Sequence, residues 1–153
     1  MSKGKRILVI IDMQEEFEAS LEKEVNQEIL RQIKLANRRK APIVFVRFRG
    51  MGEINLSLIE QAEKGISLFT TKKDDNGSAN ILYKLNQQGV SSDRLRICGI
   101  NTEYCVLATV NGLIEIKPTI DIEVVKKGCT TIPVTSQEDL WNRFPKVKNI
   151  KLV

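Results

Sequence analysis

Histidine is absent from all 153 residues. That removes the side chain most often used as a general base near neutral pH, and a leading metal ligand. Cysteine occurs three times, an odd number with no CxxC spacing, which argues against a disulfide framework and against a zinc site. Glycine and proline are sparse, at 9 and 4 residues. No stretch is repeated, low in complexity or linker-like, so residues 1–153 read as one domain large enough to close a core. Aromatic residues make up 5% of the chain and do not interleave with basic ones, so the stacking surface of a nucleic-acid binder is missing. Long apolar runs are missing too. The segment between Arg6 and Asp12 is too short for a signal sequence or a membrane span. These absences together point to a cytoplasmic protein with no membrane or nucleic-acid partner.

What is present is ordinary for a soluble globular protein: 42% hydrophobic and 28% charged residues. The net charge of +5 is scattered, with short clusters such as Arg38-Arg39-Lys40 and Lys72-Lys73. It suits mild attraction of anionic substrates as well as any other use.

Periodicity divides the chain into alternating strands and helices. Arg6–Ile11 is a β-branched run of the kind buried on both faces of a sheet. Glu22–Arg39 carries Val25, Ile29, Ile33 and Ala36 at helical spacing, and Pro42 precedes a second strand at Ile43–Arg47. A short helix at Leu56–Ala62 and a third strand at Ile66–Thr71 follow. Ser78 is a candidate cap for a helix over Asn80–Gln88 that Gly89 closes. Arg94–Ile100 reads as a fourth strand, Thr102–Leu113 as a helix and Ile120–Lys126 as a fifth strand. Thr135–Glu138 has the form of a capping box before a last short helix, and Val147–Leu152 reads as an edge strand. Strands joined by helical crossovers predict a three-layer, doubly wound α/β domain with a mostly parallel sheet.

In such sheets ligands bind beyond the carboxyl ends of the strands. Three reactive groups fall there: Asp12 after the first strand, Lys73 after the third and Cys105 after the fourth. Cys105 has no histidine to take its proton. A helix N-terminus near Thr102 and a lysine would favour the thiolate, and a carboxylate would accept the proton. Read singly, each residue has a plainer role: Cys105 as a small buried hydrophobe, Asp12 as a turn residue, Lys73 as surface charge, Phe17 as core. Cys98 and Cys129 read as core or boundary cysteines.

Three segments, IDMQEEF (Ile11–Phe17), TKKDDNGSA (Thr71–Ala79) and ICGINTEYCVLATVNGL (Ile97–Leu113), resemble the signature segments of the isochorismatase-like cysteine hydrolases. That family includes nicotinamidases, pyrazinamidases and carbamoyl-amide hydrolases. The resemblance runs from the first strand to about Thr131. It implies an Asp-Lys-Cys triad of Asp12 as general base and acid, Lys73 and the nucleophile Cys105, with Lys72 as the alternative lysine. It further implies a cis peptide at Ile100–Asn101, an oxyanion hole from the backbone N–H groups of Asn101 and Cys105, and a substrate pocket lined by Phe17 and Tyr104. The implied reaction is cleavage of a small amide, or a related C–N or ester substrate, through a Cys105 thioester. A homo-oligomer is implied as well.

The chain departs from the family in three respects. Arg47–Glu53 offers no histidine where several members bind a metal, so neither metal nor cofactor is expected. The region between the second and third strands, which helps form the substrate lid in the family, is short, and Ala79-Asn80 stands where an aromatic often follows. Two other readings stay open on the sequence: a catalytically inactive binding or assembly module, and a redox-sensing thiol protein.

Overall fold

The computed structural model describes residues 4–131 and 137–153. Among them, six strands form one sheet in the order β3-β2-β1-β4-β5-β6, with every neighbouring pair parallel. The strands are β1 (Ile7–Ile11), β2 (Ile43–Phe48), β3 (Ser67–Lys72), β4 (Arg94–Ile100), β5 (Asp121–Thr130) and β6 (Ile150–Leu152). The helices are α1 (Lys23–Arg38), α2 (Leu56–Ala62), α3 (Ser78–Gln87), α4 (Leu107–Ile116) and α5 (Gln137–Trp141). This is the three-layer α/β architecture that the strand-helix alternation predicts.

The side chains of β1 alternate between two cores. Val9 and Ile11 join Val46, Ile81, Val106 and Val110 on the α3–α4 face. Leu8 and Ile10 join Ile29, Ile33, Phe45 and Leu58 on the α1–α2 face. A strand covered by helices on both sides has no polar face, which is why β1 is apolar throughout.

The topology fixes where a ligand belongs. From β1 the chain winds outward through β2 to β3, then returns to place β4 on the other side of β1. The crevice between β1 and β4 is therefore the switch point of the sheet. Gly99 belongs to this junction: its φ is +131°, and a Cβ there would run into the Ile11 carbonyl. Glycine lets β4 lie close against the end of β1, one residue before Asp12.

Several boundaries differ from the sequence reading. Ser78 does not cap α3 but is its buried first residue. The N-cap position is Gly77, which has no side chain to offer, and the preceding Asn76 Oδ1 accepts the Ser78 N–H at 3.0 Å. The helix expected from Thr102 opens with a π-helical turn over Thr102–Val106, in which the Val106 N–H reaches back to the Asn101 carbonyl at 3.2 Å. Such wide turns hold a residue in an irregular position and are frequent at functional sites. Strand β5 runs on to Thr130 through a register shift opposite Ile97–Gly99. The capping box expected at Thr135–Glu138 begins outside the described residues.

Candidate active site

Asp12 is the first residue after β1. It has no solvent exposure, and its backbone takes φ 54°, a left-handed conformation that aspartate tolerates better than most side chains. Its N–H donates to the Val46 carbonyl at 3.0 Å and its carbonyl accepts the Gln14 N–H at 2.8 Å. Gln14 secures the turn from the other side. Its amide donates to the Phe48 and Gly52 carbonyls, and its Oε1 accepts the Phe48 N–H at 2.6 Å.

The lysine that meets Asp12 is Lys72, not Lys73. Lys72 Nζ stands 3.0 Å from Asp12 Oδ2, with side-chain exposures of 0% and 1%. Lys73, one residue on, is exposed. The reason is the two-residue period of a strand: adjacent side chains face opposite ways, so a shift of one residue sends the ammonium to the other face. The Lys72 stem also needs space, and Gly77 supplies it, since a Cβ there would sit 2.9 Å from Lys72 Cδ.

Three acceptors surround the ammonium: Asp12 Oδ2, the Asp74 carbonyl at 2.9 Å and Cys105 Sγ at 3.3 Å. The Phe48 ring lies 4.1 Å away, and its negative face adds to the stabilisation of the cation. The contact with Asp12 is close but poorly aligned. Neither carboxylate oxygen has a properly oriented hydrogen-bond donor among the described residues, so the attraction is chiefly electrostatic. Asp12 Oδ1 is thus a buried acceptor without a partner, a feature that folding alone does not favour.

Cys105 lies in the π-helical turn and keeps 4% of its surface. Burial, the Asp12 charge and a polar interaction with Asp12 push its thiol up to about 12, against the smaller opposite pull of Lys72. The expectation that a helix N-terminus and a lysine would favour the thiolate is therefore outweighed by burial and Asp12. Burial likewise raises Asp12 above its ordinary range, with Lys72 pulling the other way. The aligned acceptor for the thiol is neither of these partners but Asp75, whose Oδ1 lies 3.7 Å from Sγ. Asp12 and Cys105 perturb each other across the site without a well-formed hydrogen bond between them.

The remaining expected residues are distributed as follows. The Ile100–Asn101 peptide is cis. The Asn101 carbonyl is taken up by the N–H groups of Tyr104 and Val106, on either side of Cys105. Phe17 is half-buried, edge-on to Phe48 at a centroid distance of 6.1 Å, and so borders the lysine through that ring. Tyr104 is 56% exposed. A cavity of about 760 Å³ lies elsewhere, between α1, α5 and the end of β5, and neither Phe17, Tyr104 nor Cys105 lines it. Among the described residues there is no cluster of three or more ligand-type side chains able to hold a metal, and no helix is long and apolar enough to cross a membrane.

Sequence reasoning missed Asp75, Phe48, Gln14 and Thr109. Thr109 is fully buried on α4. Its hydroxyl accepts the Gly77 N–H at 3.0 Å and donates to the Asp75 carbonyl at 3.3 Å. The available signal was the polar residue one turn beyond Cys105 on an otherwise apolar helix face.

No family model matches the chain, and no curated protein matches it. Solved structures do. The nicotinamidase SaPncA of Staphylococcus aureus superposes with a TM-score of 0.79 at 17% identity, over 99% of this chain and 100% of that one. The MAR1 ribonuclease of Caenorhabditis elegans gives 0.77 at 19% identity, over 100% of this chain and 79% of that one. YcaC of Escherichia coli, an octameric hydrolase of unknown specificity, gives 0.76 at 17% identity, over 97% and 74%. The chain shares the fold of these proteins, the isochorismatase-like α/β fold that its sequence segments predict.

Proposed function

We propose that the protein is a cysteine hydrolase that cleaves a small amide, with Asp12, Lys72 and Cys105 as its catalytic residues. The observation that carries this reading is the buried Lys72 ammonium, held at once by the Asp12 carboxylate and the Cys105 sulfur. Burying an ion pair costs several kcal/mol per ion before the attraction offsets it. Such a pair beside a cysteine, at the switch point of the sheet, suits chemistry better than stability. The fold alone does not choose the reaction, since it also serves a ribonuclease.

In the proposed cycle, Asp12 takes the thiol proton as Cys105 Sγ attacks the amide carbonyl. The S–C bond forms, and the carbonyl electrons move onto oxygen. The backbone N–H groups of Asn101 and Cys105 are assigned to this oxyanion. As the carbonyl re-forms, the C–N bond breaks and the departing amine takes the proton from Asp12. A water then attacks the thioester and gives its proton to Asp12, and the C–S bond breaks. The acid leaves, and the thiolate recovers its proton from Asp12. The raised Asp12 suits this shuttle because its basicity lies nearer neutral pH than an ordinary aspartate's. Lys72 stabilises whichever of Asp12 and Cys105 carries the negative charge. Phe17 and Tyr104 are assigned to the substrate approach.

The test is ammonia release from a panel of small primary amides, with four variants beside the wild type. Cys105→Ala, Asp12→Asn and Lys72→Met should each lose at least about a hundredfold in turnover, while Lys73→Ala keeps it. Turnover that survives Cys105→Ala overturns the reading. The octameric neighbour of this fold supports the expected homo-oligomer, which light scattering would decide.

A further inference from the structure

We propose that Asp75 is a specificity-determining residue, selecting substrates that carry a cationic group next to the scissile carbonyl. This rests on the reading of Cys105 as nucleophile and adds the class of substrate.

Asp75 Oδ1 lies 3.7 Å from Cys105 Sγ. Cys105 is almost wholly buried while Asp75 is exposed, so the carboxylate stands on the solvent side of the sulfur. A reacting carbonyl carbon must come within about 3–3.5 Å of the sulfur. A group attached to that carbon then lies within reach of Asp75.

The carboxylate is held there by its backbone. The buried Thr109 hydroxyl binds the Asp75 carbonyl and the Gly77 N–H, and Lys72 binds the Asp74 carbonyl. The loop between β3 and α3 is thereby pinned on both sides of Asp75. An ordinary surface aspartate has no such support.

Charge completes the case. Lys72 is fully buried, donates to the Asp74 carbonyl and the sulfur, and faces the Asp12 carboxylate, so its charge is already matched inside the protein. Among the described residues Asp75 makes no ion pair. Asp12 and Lys72 face each other in the interior, Lys73 and Asp74 are exposed neighbours of opposite charge, and the carboxylate beside the sulfur on the solvent side is that of Asp75. The net charge of the whole chain is +5, so the local preference runs against the global one. At contact distance a substituent beside the sulfur meets the Asp75 carboxylate first, and surface charges farther off are screened over a Debye length of about 8–10 Å. An ammonium, amidinium or guanidinium group fits this mouth, and a carboxylate or phosphate does not.

The test reads the thiol directly and needs no known substrate. Cys105 is modified at pH 9 with three methanethiosulfonates of similar size bearing a trimethylammonium, a sulfonate or a neutral group. Each rate is divided by that of free cysteine, and the modified residue is identified by peptide mass spectrometry. The cationic reagent should outpace the anionic one by roughly tenfold in the wild type, less at high salt. Asp75→Asn should bring the two within about threefold of each other, and Asp75→Lys should invert the order. Ratios taken within one variant cancel any change in thiol basicity. Equal wild-type rates, or a cationic preference that survives Asp75→Lys, overturn the inference and leave the nucleophile reading standing. If no reagent modifies Cys105, the nucleophile reading falls and the inference with it.

Discussion

Lys72 Nζ lies 3.0 Å from Asp12 Oδ2, and both side chains are buried. The two charges come from strands that are not neighbours in the sheet, since β2 lies between β3 and β1. The long lysine stem crosses beside Phe48, the last residue of β2, to make the pair. Each charge is tolerable only because the other is present.

That dependence predicts non-additive stability. Lys72→Met leaves Asp12 as an uncompensated buried charge and should destabilise the fold by about 3–5 kcal/mol. Adding Asp12→Asn removes that charge, and the double variant should recover most of the loss. Asparagine suits the position because it accepts the left-handed backbone at Asp12. Denaturant midpoints of the four proteins give the coupling. Simple additivity would show that the pair does not interact as the distance implies.

Opposite shifts of the Cys105 thiol form a second prediction. The Asp12 charge raises it and Lys72 lowers it. Asp12→Asn should therefore lower the apparent thiol pKa from about 12, and Lys72→Met should raise it further. Alkylation rate against pH reads both. The signature is that Asp12→Asn makes the sulfur more reactive toward an alkylating agent while abolishing amide turnover. A thiol that becomes less acidic in Asp12→Asn would mean that Asp12 is not beside it.

Much of this site was legible in the chain. The apolar run Ile7–Ile11 announces a strand covered on both sides, and a polar residue at its end stands at a sheet rim, as Asp12 does. Cys105 follows β4 in the same way. The choice between Lys72 and Lys73 was not legible, because the boundary of β3 decides which way each points and an edge strand with mixed exposure gives a weak pattern. Asp75 was hidden for another reason. Its place beside the sulfur depends on Thr109, 34 residues away, and on Lys72. Contacts across such separations leave no local periodicity. Ser78 does not cap α3 because the helix begins at Ser78 itself, which puts Gly77 at the cap position and leaves the Asn76 side chain to take the Ser78 N–H.

Gly99 carries a third prediction. A Cβ would strike the Ile11 carbonyl, and φ +131° is open essentially to glycine alone. Gly99→Ala should cost several kcal/mol by forcing β4 away from the end of β1. Gly50, at φ +80° with open space around its Cβ position, is the control: Gly50→Ala meets the backbone penalty without the clash and should cost about 1 kcal/mol. Equal losses in the two variants would remove the close-approach argument.

The last prediction concerns alkaline pH. In the unfolded chain Cys105 ionises near 9.0, whereas in the folded protein burial and Asp12 hold it neutral up to about 12. Its folded value is raised, so its contribution to stability is complete below pH 9.0 and is lost as pH rises toward about 12. Within that window the unfolded state releases a proton that the folded state keeps. Each such thiol steepens the decline by up to about 1.4 kcal/mol per pH unit. Cys129, raised to about 12 by burial, acts in the same direction. Cys105→Ala should therefore flatten the fall in urea-unfolding free energy between pH 9 and pH 11 relative to wild type, whatever its stability at pH 7. Cys105→Ala combined with Cys129→Ala should flatten it further. Lysine and tyrosine titration is common to all three proteins and cancels in the comparison. An unchanged slope in Cys105→Ala would mean that the sulfur ionises as readily in the folded protein as in the unfolded chain, and the neutral resting thiol from which the proposed Asp12 proton transfer begins would have to be given up.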